Sequence, residues 1–389
     1  MSLEFLIPLE NTFIEDISVF PENTLAHHIE MHTEQVGLPN LKNVKIAIFA
    51  VLEGRAAIAN EGTGSLDGVS AIRSYLYRMF PGNWSQQIVD LGNIPSGATV
   101  SDTYFAVKEV TATLVKKEII PVIIGGGQDL TYANYRAYDS LEQLVNVVAV
   151  DAKFDLGTVD TPLHSNSYLS KIVMESPCNL FNFSNIGYQT YFNAQEEIDL
   201  LENLNFDALR LGVSKDLKIL EPIMRDADIV SVDIGALRFS EAPANKNTSP
   251  NGFYGEEICT ISRYAGISDK VTSFGIYEYN NLLDNTGQTA HLIAQTLWYF
   301  IEGVNARSND YPFCSKSSFL KYMVPVEGET LVFYKSPKSG RWWMEIHSLE
   351  DNKYKRNALI PCTYQDYLDA ADQNIPERWY KGIRKLNGL

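Results

Sequence analysis

The sequence predicts an α/β protein: a parallel sheet covered on both faces by helices, followed by a small α+β extension. Three observations predict it. Short apolar, β-rich runs recur at residues 44–52, 119–124, 147–150, 208–213, 229–232 and 271–276. They are almost continuously apolar rather than alternating, as strands buried on both faces are. Amphipathic stretches separate several of them, and parallel strands need such crossovers.

Residues 44–52 open the sheet. Residues 101–117 carry Val107, Val110, Ala112, Leu114 and Val115 near helical spacing, which predicts a covering helix. The next run, 119–124, closes on Gly125-Gly126-Gly127-Gln128-Asp129. The run 147–150 closes on Asp151-Ala152-Lys153-Phe154-Asp155, and 229–232 closes on Asp233-Ile234-Gly235. Short buried strands that end this way place polar side chains at the C-terminal edge of the sheet, where α/β proteins build their sites. Residues 286–304 read as a long closing helix of that domain. The segment 308–312 (SNDYP) marks a boundary, so the expected division is 1–305 and 310–389. Beyond it, residues 330–334 and 341–346 flank the hairpin signal KSPKSG. Residues 364–371 are helical, and Pro376 ends that pattern. The aromatics Trp342, Trp343 and Trp379 read as core or interface rather than as a ligand cage.

The chain has 389 residues, 45% apolar and 21% charged, within the ordinary globular range. Its formal net charge of -16 argues against nucleic acid or an anionic membrane as partner. Cys178, Cys259, Cys314 and Cys362 are scattered without a CxxC pair, which predicts reduced thiols in a cytoplasmic protein. The opening Met1-Ser2-Leu3-Glu4 has no basic stretch, so no signal peptide is expected. No window approaches a membrane span. His28 and His32 stand four residues apart, without the HExxH order, and read as a solvated helix face. Residues 62–68 are one residue too long for GxGxxG. There is neither a GxSxG elbow nor a Walker A loop.

Six segments, in order, carry a resemblance. They are residues 62–73 (GTGSLDGVSAIR), 125–129 (GGGQD), 151–155 (DAKFD), 231–243 (SVDIGALRFSEAP), 252–257 (GFYGEE) and 277–284 (YEYNNLLD). Together the chain resembles the arginase/ureohydrolase superfamily, and within it formiminoglutamase, over roughly residues 44–304. The resemblance implies a three-layer α/β/α fold with a parallel sheet of about eight strands. It also implies a centre in which two manganese ions share a hydroxide that attacks a guanidinium or amidine carbon.

The six family ligands fall here at Gln128, Asp151, Lys153, Asp155, Asp233 and Gly235, where the family has His, Asp, His, Asp, Asp and Asp. Both ligands private to the second metal, at 153 and 235, are replaced. If DAKFD is extended, Asp151, Lys153 and Asp155 share a side, and the lysine points toward the second-metal position. Three carboxylates and one ammonium leave a net charge of -2. Two outcomes follow. Either Lys153 bridges the carboxylates and no metal binds, or a single divalent cation joins Gln128, Asp151, Asp155 and Asp233. That donor set is all oxygen and suits Mg²⁺ or Ca²⁺ better than Mn²⁺.

Among catalytic candidates, Asp151 and Lys153 are joined by His164 as an acid/base and by Glu278 as partner of a substrate cation. Arg238 is a candidate for binding a ligand carboxylate. The expected function is a divergent family member with a decayed two-metal site that keeps a ligand pocket or an assembly role. The alternative is an active single-metal hydrolase of linear amidine C–N bonds. A small-molecule ligand and a homo-oligomer or mixed assembly are the partners the resemblance allows.

Overall fold

The computed structural model describes residues 2–387 apart from 58–59, 61, 142, 158–161, 313–315 and 348–357; Cys314 lies outside the described residues. Among the described residues the main sheet has nine strands. They are β1 (Glu30–Met31), β2 (Val44–Val51), β3 (Gln87–Ile94), β4 (Ile120–Ile124), β5 (Val145–Val150), β6 (Leu180–Tyr188), β7 (Asp207–Arg210), β8 (Ile229–Asp233) and β9 (Ser273–Tyr277). Their order is β1-β3-β2-β4-β9-β8-β5-β6-β7, and every pairing is parallel. Strand periodicity builds the three layers. On β2, Ile46, Ile48 and Ala50 enter one core, while Ala47, Phe49 and Val51 enter the other. The helices Leu66–Arg78 and Gln288–Asn305 pack on the first face, and Val100–Lys116 packs on the second.

The count of nine exceeds the expected eight. β1 is two residues long and gives no sequence signal. β3 and β6 escape a search for apolar runs because they carry buried polar residues. Asp90 of β3 receives Arg73 in a bidentate pair, Nε at 2.8 Å and Nη2 at 3.1 Å, and both residues are fully buried. Tyr77 also donates to Asp90. The run 208–213 is only partly strand: after Arg210 the chain turns into the helix Leu211–Ser214. A short apolar run cannot tell the two apart.

The histidine pair is also corrected. The helical turn Leu25–His27 stops before His28, and His32 lies buried beyond β1 with Nδ1 donating to the Leu91 carbonyl oxygen at 3.1 Å. It is a satisfied core histidine, not part of a solvated helix face.

The C-terminal residues form a second sheet of four antiparallel strands: β10 (Leu320–Val326), β11 (Glu329–Lys335), β12 (Trp342–Ile346) and β13 (Ala358–Cys362). The hairpin falls at the expected KSPKSG turn, with Lys335 opposite Trp342. The helices Tyr364–Ala371 and Glu377–Asn387 follow on either side of Pro376. Alternation along β12 divides its side chains. Trp342 and Met344 fill the small sheet's own core, whereas Trp343 turns to the main domain and is fully buried.

There Trp343 meets Arg225, the penultimate residue of the helix Leu217–Asp226, whose guanidinium lies 4.6 Å from the indole centroid. Arg225 also donates to the carbonyl oxygens of Trp342 and Cys362, both at 2.9 Å, and pairs with Glu221 at 3.1 Å. One buried guanidinium thus satisfies two strands of the extension and stacks on a third contact. Arg225→Ala would leave two buried carbonyls without donors and is expected to cost about 3 kcal/mol. Urea unfolding would show this as a lower midpoint at an unchanged slope, and an unmoved midpoint would remove Arg225 from this role.

Candidate metal centre

Four adjacent strands, β4, β9, β8 and β5, deliver the polar residues expected from the sequence. Gln128 follows β4, Glu278 follows β9, Asp233 ends β8 and Asp151 follows β5. Their ladder hydrogen bonds fix the spacing, so neighbouring strand ends bring the side chains to one crevice. Asp151, Asp155 and Asp233 each offer an oxygen, and these lie within 4.8 Å of one another. All three residues are buried.

The glycine run before Gln128 answers a crowding problem. A Cβ on Gly126 would stand 1.5 Å from the Glu53 carbonyl oxygen, an impossible contact. The amide of Gly127 donates to that same oxygen at 3.3 Å. Glu53 is itself held by Arg55 and by the Thr103 hydroxyl at 2.8 Å, which keeps its carboxyl below the usual range despite burial.

The segment after β5 is not extended. Ala152 and Lys153 form a bend, and Asp155 takes a left-handed φ of 52°. Side chains from the neighbouring strand and loop hold this course. Asn185 of β6 donates to the Lys153 carbonyl at 2.7 Å, while Asn193 accepts from the Phe154 amide at 2.9 Å and donates to the Ala152 carbonyl at 3.0 Å. The curl folds Asp155 back toward Asp151. It also overturns the expected alternation: Lys153 is half-buried and forms no ion pair with the three aspartates among the described residues. Its charge nonetheless opposes the upward pKa shifts of all three.

Asp151 Oδ1 accepts from the Lys153 amide at 2.9 Å, and Asp233 Oδ1 from the Gly235 amide at 2.6 Å. Asp151 Oδ2 and Gln128 Oε1 are buried without a hydrogen-bond partner. Gln128 spends its Nε2 on the Tyr168 hydroxyl at 3.4 Å, which leaves the carbonyl end of the amide bare. Two lone-pair donors without partners beside three carboxylates form a set that a hard cation fits. At Gly235 a Cβ would sit 3.0 Å from Asp233 Oδ1, so a side chain here would project at that carboxylate, and there is none.

Burial raises the pKa of Asp151; it raises Asp155 and Asp233 well above their usual range, helped in both by the Asp151 charge. Glu278 is pushed up to about 7, chiefly by burial. It sits at a left-handed φ of 70° and is held there from several sides. Its amide donates to the Gly126 carbonyl at 2.8 Å. Its own carbonyl accepts from Asn60 at 2.6 Å and Asn245 at 3.1 Å, and Oε1 accepts from the Gln128 amide at 2.9 Å. Asp129, also buried, rises to about 7 for the same first reason, while Tyr104 donates to it at 2.7 Å.

The outlying candidates have structural partners. His164 caps a short helical turn, Nδ1 accepting from the Asn166 amide at 3.2 Å, and burial lowers its pKa. Arg238 lies 3.9 Å over the Tyr254 ring and donates to the Gly252 carbonyl at 3.2 Å, which ties together the loop after β8. Asn60, Tyr168, Asn185, Asn193 and Asn245 were not singled out from the sequence. Isolated asparagines and a tyrosine carry no spacing signal, and only the fold gives them their targets.

The comparisons with known proteins agree with this fold. The profile described as the Arginase family matches residues 54–302, more than half of the chain. The chain belongs to the arginase family. Among curated arginase-family relatives, the formimidoylglutamase of Lysinibacillus sphaericus is 24% identical over 273 residues, spanning 66% of this chain and 82% of that protein. That of Halobacterium salinarum is 27% identical over 257 residues, spanning 62% and 82%. Among solved structures, Trypanosoma cruzi formiminoglutamase with Mn²⁺ superposes with a TM-score of 0.64 at 19% identity, covering 69% of this chain and 96% of that one. These likenesses establish the arginase fold. The family match ends at residue 302 and leaves the C-terminal sheet outside it.

A pH dependence follows from the raised carboxyls. A folded-state pKa above the unfolded value of about 4 stabilises the protein fully below that pH, and the contribution is lost as pH rises through the folded pKa. The lowered carboxyls Glu53, Asp102 and Asp207 have finished titrating by about pH 6. His164 acts with the opposite sign, but it is one group against seven raised carboxyls, Asp139 and Asp228 included. Chelator-treated protein should therefore melt at progressively lower temperature from pH 6 to pH 8. Calorimetry showing a rising melting temperature across that interval would contradict the assignment.

Proposed function

We propose that this arginase-family chain is a divergent member whose two-manganese centre has decayed to a pocket for at most one divalent cation. In this reading it lacks family-type amidine hydrolysis and keeps a ligand pocket or an assembly role. One observation carries the proposal. The first half of the centre keeps three clustered carboxylates with the bare oxygens of Asp151 and Gln128, whereas the second half has a lysine at 153 and no side chain at 235.

Asp151, Asp155, Asp233 and Gln128 would hold the cation. When bound, it would supply charge neutralisation and polarise an oxygen of a ligand. Mg²⁺ and Ca²⁺ suit the all-oxygen set, and Mn²⁺ is the ion of the family centre. Glu278, fixed at the floor of the crevice, would present its carboxyl to a cationic ligand group. Arg238 would shape the loop at the mouth rather than bind a ligand carboxylate, because its guanidinium is already stacked and bonded.

A second reading is favoured by the cluster itself together with the relatives named formimidoylglutamase. In it the chain hydrolyses linear amidine C–N bonds with one metal, and His164 moves the proton. Elemental analysis after exposure to Mn²⁺, Mg²⁺ or Ca²⁺ tests both readings. The expected content is no more than one ion per chain, lost in Asp233→Ala, with no release of ammonia, urea or formamide from formiminoglutamate, agmatine or arginine. Two manganese ions per chain would overturn the decayed centre. Turnover with one ion, abolished by Asp233→Ala, would establish the second reading.

The replaced positions give a further expectation. Restoring Gln128→His, Lys153→His and Gly235→Asp together should raise manganese content toward two per chain. Gly235→Asp alone should lower the melting temperature of chelated protein, because it adds a fourth carboxylate against Asp233.

A further inference from the structure

One cavity is separate from the carboxylate crevice. It lies at the opposite, N-terminal edge of the sheet, where β5, β6 and β7 begin, and the C-terminal extension closes its outer side. Its volume is about 980 Å³, enough for a small organic molecule. Val148, Phe181, Ile223, Ile346 and Ile360 give it apolar walls from both parts of the chain. Asn146 at this end of β5 and Asp151 at the other are separated by roughly 16 Å of strand, so the two places are distinct.

The helix Glu377–Asn387 turns three cations toward this space: Arg378, Lys381 and Lys385. The lysines are already matched. Lys385 donates to Asn182 Oδ1 at 2.6 Å and pairs with Asp207 at 3.3 Å, while Lys381 reaches Asp207 at 3.6 Å and Glu377 at 3.2 Å. Two further carboxylates of the lining are bonded elsewhere: Asp226 to Lys270, and Asp369 to the Gln365 amide. Arg378 differs. Its one ion pair among the described residues is with Asp366 at 3.8 Å, and its Nε is buried with no hydrogen-bond partner. A guanidinium has five donors in a planar fork matched to a carboxylate. With its Nε unbonded on the wall of this cavity, Arg378 leaves that edge of the fork open to an anion of matching shape.

We propose that this cavity binds an amphipathic monocarboxylate: an apolar body among the Ile223, Ile346 and Ile360 side chains, with its carboxylate on Arg378. The ligand is either an aliphatic or an aromatic acid, since both present the same head group to the fork. The extension supplies the cation and one apolar wall, and the main domain supplies the other.

The test uses the full-length protein and the neutral dye N-phenyl-1-naphthylamine, whose fluorescence rises in apolar sites. Saturable dye binding of one per chain is expected. Decanoate or 1-naphthoate, below any micellar concentration, should displace it at least tenfold more tightly than decyltrimethylammonium. The better of the two acids identifies the aliphatic or aromatic source. Arg378→Leu should leave dye binding intact and weaken the acid at least tenfold, with partial recovery in Arg378→Lys. Ile223→Trp, which fills the cavity, should abolish dye binding while circular dichroism stays unchanged. It carries the test if Arg378→Leu fails to fold. The proposal is overturned if dye binding is not saturable, if acid and cation compete equally, if folded Arg378→Leu binds the acid as wild type does, or if Ile223→Trp still binds the dye.

Discussion

Mutual repulsion among the buried carboxyls of Asp151, Asp155 and Asp233 is the constraint around which the main domain is arranged. Three carboxylates do not gather on their own. Ladder hydrogen bonds of the parallel sheet set the ends of β5 and β8 side by side, and the curl after β5 brings Asp155 back to them. Asn185 and Asn193 spend their amides on that curl, and Asn60 and Asn245 hold Glu278 in a backbone conformation it would not choose alone. Gly126 lets the β4 turn approach Glu53 closely enough for the crevice to close. Much of the buried polar chemistry near the strand ends is thus support for an unfavourable cluster, a pattern typical of functional sites.

The extension is joined to the main domain by a different logic. Its own core of Trp342, Met344 and Phe333 is apolar, but the junction is polar and specific. Arg225 reaches two of its strands, and Asp226 accepts from the Tyr311 hydroxyl at 3.2 Å while pairing with Lys270. A buried guanidinium stacked on Trp343 fixes orientation as well as distance, because its donors work only in the plane of the fork. The small sheet is therefore seated in one orientation on the helix that leads into β8.

Much of the fold could be read from the amino-acid order because it rests on continuous apolar runs. Residues 44–52, 119–124, 147–150 and 229–232 became β2, β4, β5 and β8 almost to the residue. β3 and β6 could not be read that way. Asp90, Asn93, Asn182, Ser184 and Asn185 interrupt their apolar pattern, and each is there for a partner elsewhere in the fold. The site divides similarly. Asp151 and Asp233 were legible because each closes an apolar run, and Gln128 and Asp155 because they stand in the GGGQD and DAKFD motifs. The path of residues 152–155 was not, since it depends on asparagines of another strand and loop. Alternation therefore does not describe residues 151–155: the rule presumes an extended backbone, and the chain abandons one at Ala152.

Only Asp226, Ala227 and Asp228 separate Arg225 from the first residue of β8, whose last residue is Asp233. Shortening the chain at the end of the family match would strip the partners from a guanidinium rooted at the base of that strand. It would also bare Trp343's seat and the polar knot around Asp226. A truncated chain would thus be a different molecule rather than a smaller copy of this one. The appendage shares buried contacts with the helix that leads into the strand carrying Asp233.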